Sequence, residues 1–497
     1  MKKINVRELR QGKINQNLKF LDMKKINFLA ILLANLITAQ SISLVKDIYP
    51  GVNGSSPQYL VNFNNKVYFS ANHPDYGSEL WVSDGTASGT NIISDILTGS
   101  TGQIPVYMTV FNNKIYYSAL LSDSSHPNGL YSYDEVNGLK LVSENYKWSS
   151  YFTLANNNLY FLNNSYIFQM NAEGAIQKIN ESTYSNGYMG SINGNLIFGG
   201  RPSTDTSYSF QLYKFDGQTT SLLKTINPTS TSQPQEFFYS SALGKTLFSA
   251  SDNTTSTEPW ITDGTETGTY RLKDINTASQ YSGSNPNSYR QIGDKVVFVA
   301  TNSNNGTELY ITDGTESGTK ILKDINAGSG SSNPTKLTYL NDKIYFFAND
   351  GTNDAQLWET DGTETGTKLT LKLNPGSTNF TLGDMIAKDD YLLASIKMGV
   401  TPGQELYKIE VPSGTLSAND NNKAKIALYP NPTSGDIYFS NLKAGQFELF
   451  DLSGKKIQSG VVNSDSKIKL SAKPGNYIIK TVSEQGKLLH TTKVIIK

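Results

Sequence analysis

Four segments of one 497-residue chain are near-copies of each other: ELWVSDGTASGT at 79–90, EPWITDGTETGT at 258–269, ELYITDGTESGT at 308–319 and QLWETDGTETGT at 356–367. A catalytic centre needs its reactive groups once, so a carboxylate-and-aromatic motif present four times reads as a structural repeat. The aromatic persists where Asp-Gly-Thr is lost. The pairs Leu80-Trp81, Leu130-Tyr131, Ile167-Phe168, Leu212-Tyr213, Pro259-Trp260, Leu309-Tyr310, Leu357-Trp358 and Leu406-Tyr407 recur at intervals of 50, 37, 45, 47, 50, 48 and 49 residues. That is the period of a four-stranded propeller blade.

Ahead of each pair stands a short Asn/Asp/Gly turn followed by a strand-like run, as in FNNKVYFSA (63–71), FNNKIYYSA (111–119) and LNDKIYFFA (340–348). Asn-Asn and Asn-Asp suit tight hairpins because both residues tolerate positive φ. One repeat then holds four strands: one before the turn, one after it, one through the aromatic pair, and one after the Gly-Thr loop. Eight such units predict an all-β chain with an eight-bladed β-propeller over 40–412. The segment 43–58, SLVKDIYPGVNGSSPQ, matches 320–335, KILKDINAGSGSSNPT, yet has no first three strands of its own. The last repeat ends at 405–411 with three. The N-terminal strand is therefore expected to complete the last blade, which removes an open sheet edge.

Within this scheme Trp81, Trp260, Tyr310 and Trp358 are expected to pack between blades rather than stack on a ligand. Asp84, Asp263, Asp313 and Asp361 fall in the turn between third and fourth strands, where a short carboxylate accepts N–H groups of the Gly-Thr loop. Calcium is the lesser alternative for them, since no D-x-D-x-D-G ligand run is present. No cofactor is expected.

The chain has no cysteine and only three histidines, His73, His126 and His490. Thiolate and disulfide chemistry are excluded. Net charge is zero overall, but residues 40–420 carry −13. That argues against a nucleic-acid partner, which requires clustered Lys and Arg. Residues 23–39, MKKINFLAILLANLITA, combine a basic start with an apolar run too short to span a membrane, the pattern of a signal peptide. Residues 1–22 read as an upstream non-native extension, and the mature chain is expected to lack a transmembrane span.

The DGT segments resemble the ELWxxDGT-repeat proteins, also described as hyalin-like, a family of exported bacterial proteins whose resemblance implies no particular activity. A polar linker at 413–425 precedes a region, 426–497, of alternating strands and Ser-Gly and Pro-Gly turns. This suits a small immunoglobulin-like β-sandwich. It resembles the type A C-terminal sorting domain of the type IX secretion system through Tyr429, Pro430, Asn431, Pro432 and Gly435, then Gly475 and Tyr477. The resemblance implies handling by the type IX machinery and a secreted or outer-surface location.

Function is then expected to be binding, by an exported propeller, of an extracellular carbohydrate or protein. The alternative is a glycan-active hydrolase or lyase with its site in irregular loops. His73, Asp75, Asp123, His126, Arg201 and Asp205 are the loop residues able to serve it. Outside 1–39 the arginines are Arg201, Arg271 and Arg290. That is a poor basis for a sialidase-like arginine cluster.

Overall fold

The structure, a computed structural model, describes residues 41–120, 126–373, 380–411, 427–429, 433, 435–440, 444–451, 455–463, 468–482 and 488–496. The expected signal peptide, upstream extension and linker lie outside them. The chain divides into two compact units, Met1–Ser413 and Gly414–Lys497.

In the first unit, among the described residues, eight four-stranded antiparallel sheets succeed one another. The first runs Gln58–Phe63, Lys66–His73, Gly77–Ser83 and Asn91–Ile92. The first strands of successive sheets touch in order, and Phe380–Lys388 of the eighth touches Gln58–Phe63 of the first, so the eight form a closed ring. The first strand of each sheet is therefore the innermost. The hairpins into the second strands use left-handed pairs such as Asn64-Asn65 and Asn112-Asn113, with φ of 46° and 61°, then 45° and 59°. This is the type I′ geometry that matches strand twist.

The eighth sheet is built from both ends of the unit. Ser41–Lys46 pairs antiparallel with Glu405–Glu410, with Leu44 opposite Tyr407. Its outer strand thus comes from the N-terminal side, as the match between 43–58 and 320–335 requires. Around that junction Val45 and Ile48 share one apolar cluster with Trp81 of the first sheet and Tyr391, Leu393 and Leu406 of the eighth. The same relation recurs around the ring. Trp260 packs with Ile192, Ile197 and Leu212 of the preceding sheet, and Tyr310 with Leu247, Ile261 and Leu272. The motif aromatics are inter-sheet core.

The second unit is a two-sheet arrangement. Ala427–Tyr429, Asp436–Ser440 and Ile468–Lys469 form one sheet, and Lys456–Asn463, Ala444–Phe450, Gly475–Val482 and Leu488–Ile496 the other. Ile437, Phe439, Phe447, Leu449, Ile479 and Val494 fill the space between.

Candidate functional site at the mouth of the propeller axis

The repeat's polar residues are largely occupied with one another. Thr86 donates both its N–H and its hydroxyl to Asp84 Oδ1, at 2.9 and 2.7 Å. Thr265, Thr315 and Thr363 do the same to Asp263, Asp313 and Asp361. The threonine hydroxyl, then its N–H, holds Asp84, Asp263 and Asp313 below the usual carboxylate range. The second Gly of each motif has no room for a Cβ, because Gly268 and Gly318 lie against the Asp263 and Asp313 carboxylates. The first Gly is left-handed and abuts the inner hairpin of the preceding sheet: Gly85 meets Tyr391, and Gly264 meets Ile192. Tyr391 Oη donates to the Asp84 carbonyl at 3.0 Å, and Asn193 to that of Asp263 at 3.1 Å. The DGT loop is a clasp between neighbouring sheets.

The glutamate that opens the motif does equivalent work at the opposite end of the sheet. Buried Glu308 accepts N–H groups of Ile325, Asn326 and Ser332, and the Ser332 hydroxyl at 2.5 Å. Glu258 takes Ile275 and Ser284, and Glu405 takes Ile48, Tyr49 and Ser55, in the same way. Gln211 fills the role by accepting from Ile226 and Asn227 and donating to the Asn227 and Ser230 carbonyls. Each side chain fastens the loop leading to the next sheet. Glu79 is the incomplete member: the serine is replaced by Gln103, and one carboxylate oxygen has no partner. Burial raises its pKa to about 7.

The repeat breaks where these fastened loops enter the inner strands. Each inner strand carries a bulge just after entry, for instance between Gln58 and Val61 and between Thr335 and Thr338. Two positions before pairing resumes, the bulge residue is Tyr59, Tyr107, Tyr151, Gly187, Glu236, Ser288, Lys336 and Gly383 around the ring. All but Gly383 are left-handed, with φ of 57°, 56° and 53° for the three tyrosines. A non-glycine residue there costs about 1–2 kcal/mol, and such strain persists where the surroundings or function hold it. Inner strands are flanked on both sides, so their exposed side chains open on the axis. Tyr107 is 43% and Tyr151 39% exposed.

These residues and their neighbours form two arcs. Tyr59 and Tyr107 rings lie 5.5 Å apart, and Tyr151 and Tyr188 rings 5.1 Å. Trp148, also left-handed at φ 58° and three residues before Tyr151, is 60% exposed. The other three tryptophans are buried in the repeat core. The second arc is charged. Glu236 has a pKa raised by burial and opposed by the Ser288 N–H and Arg290. Arg290 donates from Nε to the Leu337 carbonyl at 2.9 Å and from Nη1 to that of Tyr289 at 2.7 Å. Lys336 pairs with Asp384 at 2.7 Å, and Asp384 also accepts the Tyr59 N–H, which returns to the aromatic arc.

The loop residues singled out from sequence sit elsewhere, on separate sheets. His73 stacks on Tyr76 and Trp81 and accepts the Asp75 N–H. It lines a cavity of about 450 Å³ with Lys46, Asp47 and Ile92. Arg201 is buried against Tyr184, Tyr208 and Phe210 and donates to the Asp205 carbonyl. The Asp205 carboxylate is engaged by Ser207 and Ser209. His126 lies on the second sheet's loop, and Asp123 falls outside the described residues, as do Pro430, Asn431 and Pro432 of the tail. A polar cavity of about 490 Å³ at the fifth sheet is lined by Asn227, Asp252, Thr254 and Tyr281. Its Asp252 is bound by Thr254, Thr255 and Arg271. Among the described residues no three His, Asp or Glu side chains converge as a metal site, and no helix is long and apolar enough to cross a membrane.

No curated protein sequence matches the chain. Solved structures similar to it include a prolyl endopeptidase, at 10% identity and TM-score 0.44, covering 88% of this chain and 56% of that one. The chain thus spans little more than half of that relative's length. The β-propeller domain of the Trilobed protease from Pyrococcus furiosus is 8% identical, with TM-score 0.36 over 71% of this chain and 95% of that one. PorZ of Porphyromonas gingivalis, a surface component of the type IX secretion system, is 10% identical, with TM-score 0.24 over 89% and 86%. Residues 427–497 match the secretion system C-terminal sorting domain. An all-β propeller carrying that tail is a type IX secretion cargo, secreted or held at the cell surface.

Proposed function

We propose that the protein is an exported binding module of the ELWxxDGT-repeat type and that its ligand, a carbohydrate or a protein, enters the mouth of the propeller axis. One observation carries this reading: eight equivalent bulge positions hold Tyr, Tyr, Tyr, Gly, Glu, Ser, Lys and Gly, whereas the Asp-Gly-Thr clasp recurs in four sheets and the Glu or Gln staple in six. Residues that only build the ring have no reason to differ between blades. Residues that meet one asymmetric ligand do. The retention of bulky side chains in left-handed backbone supports the same reading. The test is a binding screen of the full chain against immobilised glycans and envelope proteins, with glycosidase assays in parallel. Binding that Tyr107→Gly and Tyr151→Gly abolish supports the axial mouth. Binding or hydrolysis indifferent to both, and lost on altering His73 or Arg201, refutes it.

A further inference from the structure

We infer that the axial mouth accepts an uncharged saccharide chain, an inference that rests on the mouth being the binding site. The charged arc is internally balanced. Lys336 is paired with Asp384, and Arg290 lies in the field of Glu236, so two cations meet two carboxylates. A polyanion or polycation gains little from such an arc, because its affinity comes from surplus charge of opposite sign. The carboxylates and the serine remain suited to ligand hydroxyl groups, which both donate and accept.

The aromatic arc supplies the complementary half. Its left-handed bulge positions carry Tyr59, Tyr107 and Tyr151, with Tyr188 beside Gly187 and Trp148 in the loop that leads into the strand Ser150–Ala155. The C–H faces of a pyranose carry partial positive charge and settle on the negative face of an aromatic ring. The tyrosine pairs, at 5.5 and 5.1 Å and tilted by 58° and 55°, pack on each other and so hold their rings in fixed orientations. An apolar protein hot spot would instead require a desolvated pocket ringed by drier contacts. Here the largest exposed ring, Trp148, is open to solvent, as a platform for an amphipathic ligand is.

Calorimetric titration of the full chain with maltohexaose, cellohexaose, mannohexaose and chitohexaose, against hexagalacturonate and a hexalysine peptide as charged probes, tests this. At least one neutral hexasaccharide is expected to bind, with Kd raised tenfold or more by Tyr107→Gly and by Trp148→Ala. Tyr281→Ala, at the fifth-sheet cavity, is expected to leave it unchanged. Absence of binding across the neutral set overturns the saccharide inference. Binding only of a charged probe, abolished by Tyr107→Gly, overturns it too while sparing the axial mouth. Neutral binding untouched by both variants overturns both.

Discussion

Glu79→Gln isolates the incomplete glutamate staple among the described residues. The carboxylate is fully buried, and one of its oxygens has no partner where Glu258, Glu308 and Glu405 have a serine hydroxyl. Burial lifts its pKa from the ordinary 4.5 to about 7. Below about pH 4.5 the carboxyl is protonated in folded and unfolded chains alike, and its full contribution to stability is present. Between there and pH 7 the folded protein keeps the proton that the unfolded chain releases, so stability falls as pH rises. At about 1.4 kcal/mol per tenfold change in proton affinity, the loss from pH 4 to pH 8 is about 3 kcal/mol. Glutamine keeps an acceptor for the Leu97 and Gln103 N–H groups and does not titrate, as Gln211 illustrates at the same register. Denaturant unfolding of wild type and Glu79→Gln between pH 5 and pH 8 should give curves that diverge as pH rises, the variant being the more stable at pH 8 by about 2–3 kcal/mol. Parallel curves, or a variant less stable at pH 8, would refute the assignment of this pH dependence to the buried carboxylate.

Trp260→Ala removes an inter-sheet core ring and should cost about 3–5 kcal/mol by thermal unfolding; unchanged stability with lost binding would make it a ligand residue. Val45→Pro strikes the closing strand at its bulge, where Val45 packs in the inter-sheet cluster with Trp81 and Tyr391, and should lower the melting temperature and promote self-association by light scattering, unlike the same change in an exposed loop. Ser288→Gly relieves left-handed strain at φ 59° and should raise stability by about 0.5–1 kcal/mol in denaturant titration. Deleting 427–497 should leave folded propeller in the periplasm; normal surface levels of the truncated chain by fractionation would contradict the role of the sorting tail.

The ring was legible because each blade repeats its own packing solution. Phe168 and Tyr213 hold the register of Trp81 even without Asp-Gly-Thr, and hairpin pairs such as Asn64-Asn65 announce left-handed turns. The closing strand was legible for a chemical reason that the structure supplies: Ser55 serves Glu405 as Ser332 serves Glu308, so 43–58 had to look like 320–335. The role of the motif glutamate was not evident, since its partners lie some 17 to 26 residues downstream, or across the closure for Glu405. The axial mouth escaped for the opposite reason. Its residues are those that fail to repeat, and the bulge displaces them by one position from strand alternation. The irregular loops stand out in the sequence instead, but their His73 and Arg201 are packed against aromatic rings. Aligning the eight inner-strand entries, from SPQYL to NPTKL, is the signal that would have found the mouth.

Repeated residues build the ring, and the proposed binding falls to the mouth, where the blades differ. Tyr107→Gly separates the two functions in one molecule, because it removes an exposed ring and at the same time relaxes a left-handed residue at φ 56°. Scanning calorimetry paired with titration of a bound hexasaccharide or envelope protein measures both. The expected result is a melting temperature equal to or above wild type and affinity reduced tenfold or more. A lowered melting temperature with affinity intact would contradict it, placing Tyr107 among the residues that hold the ring together.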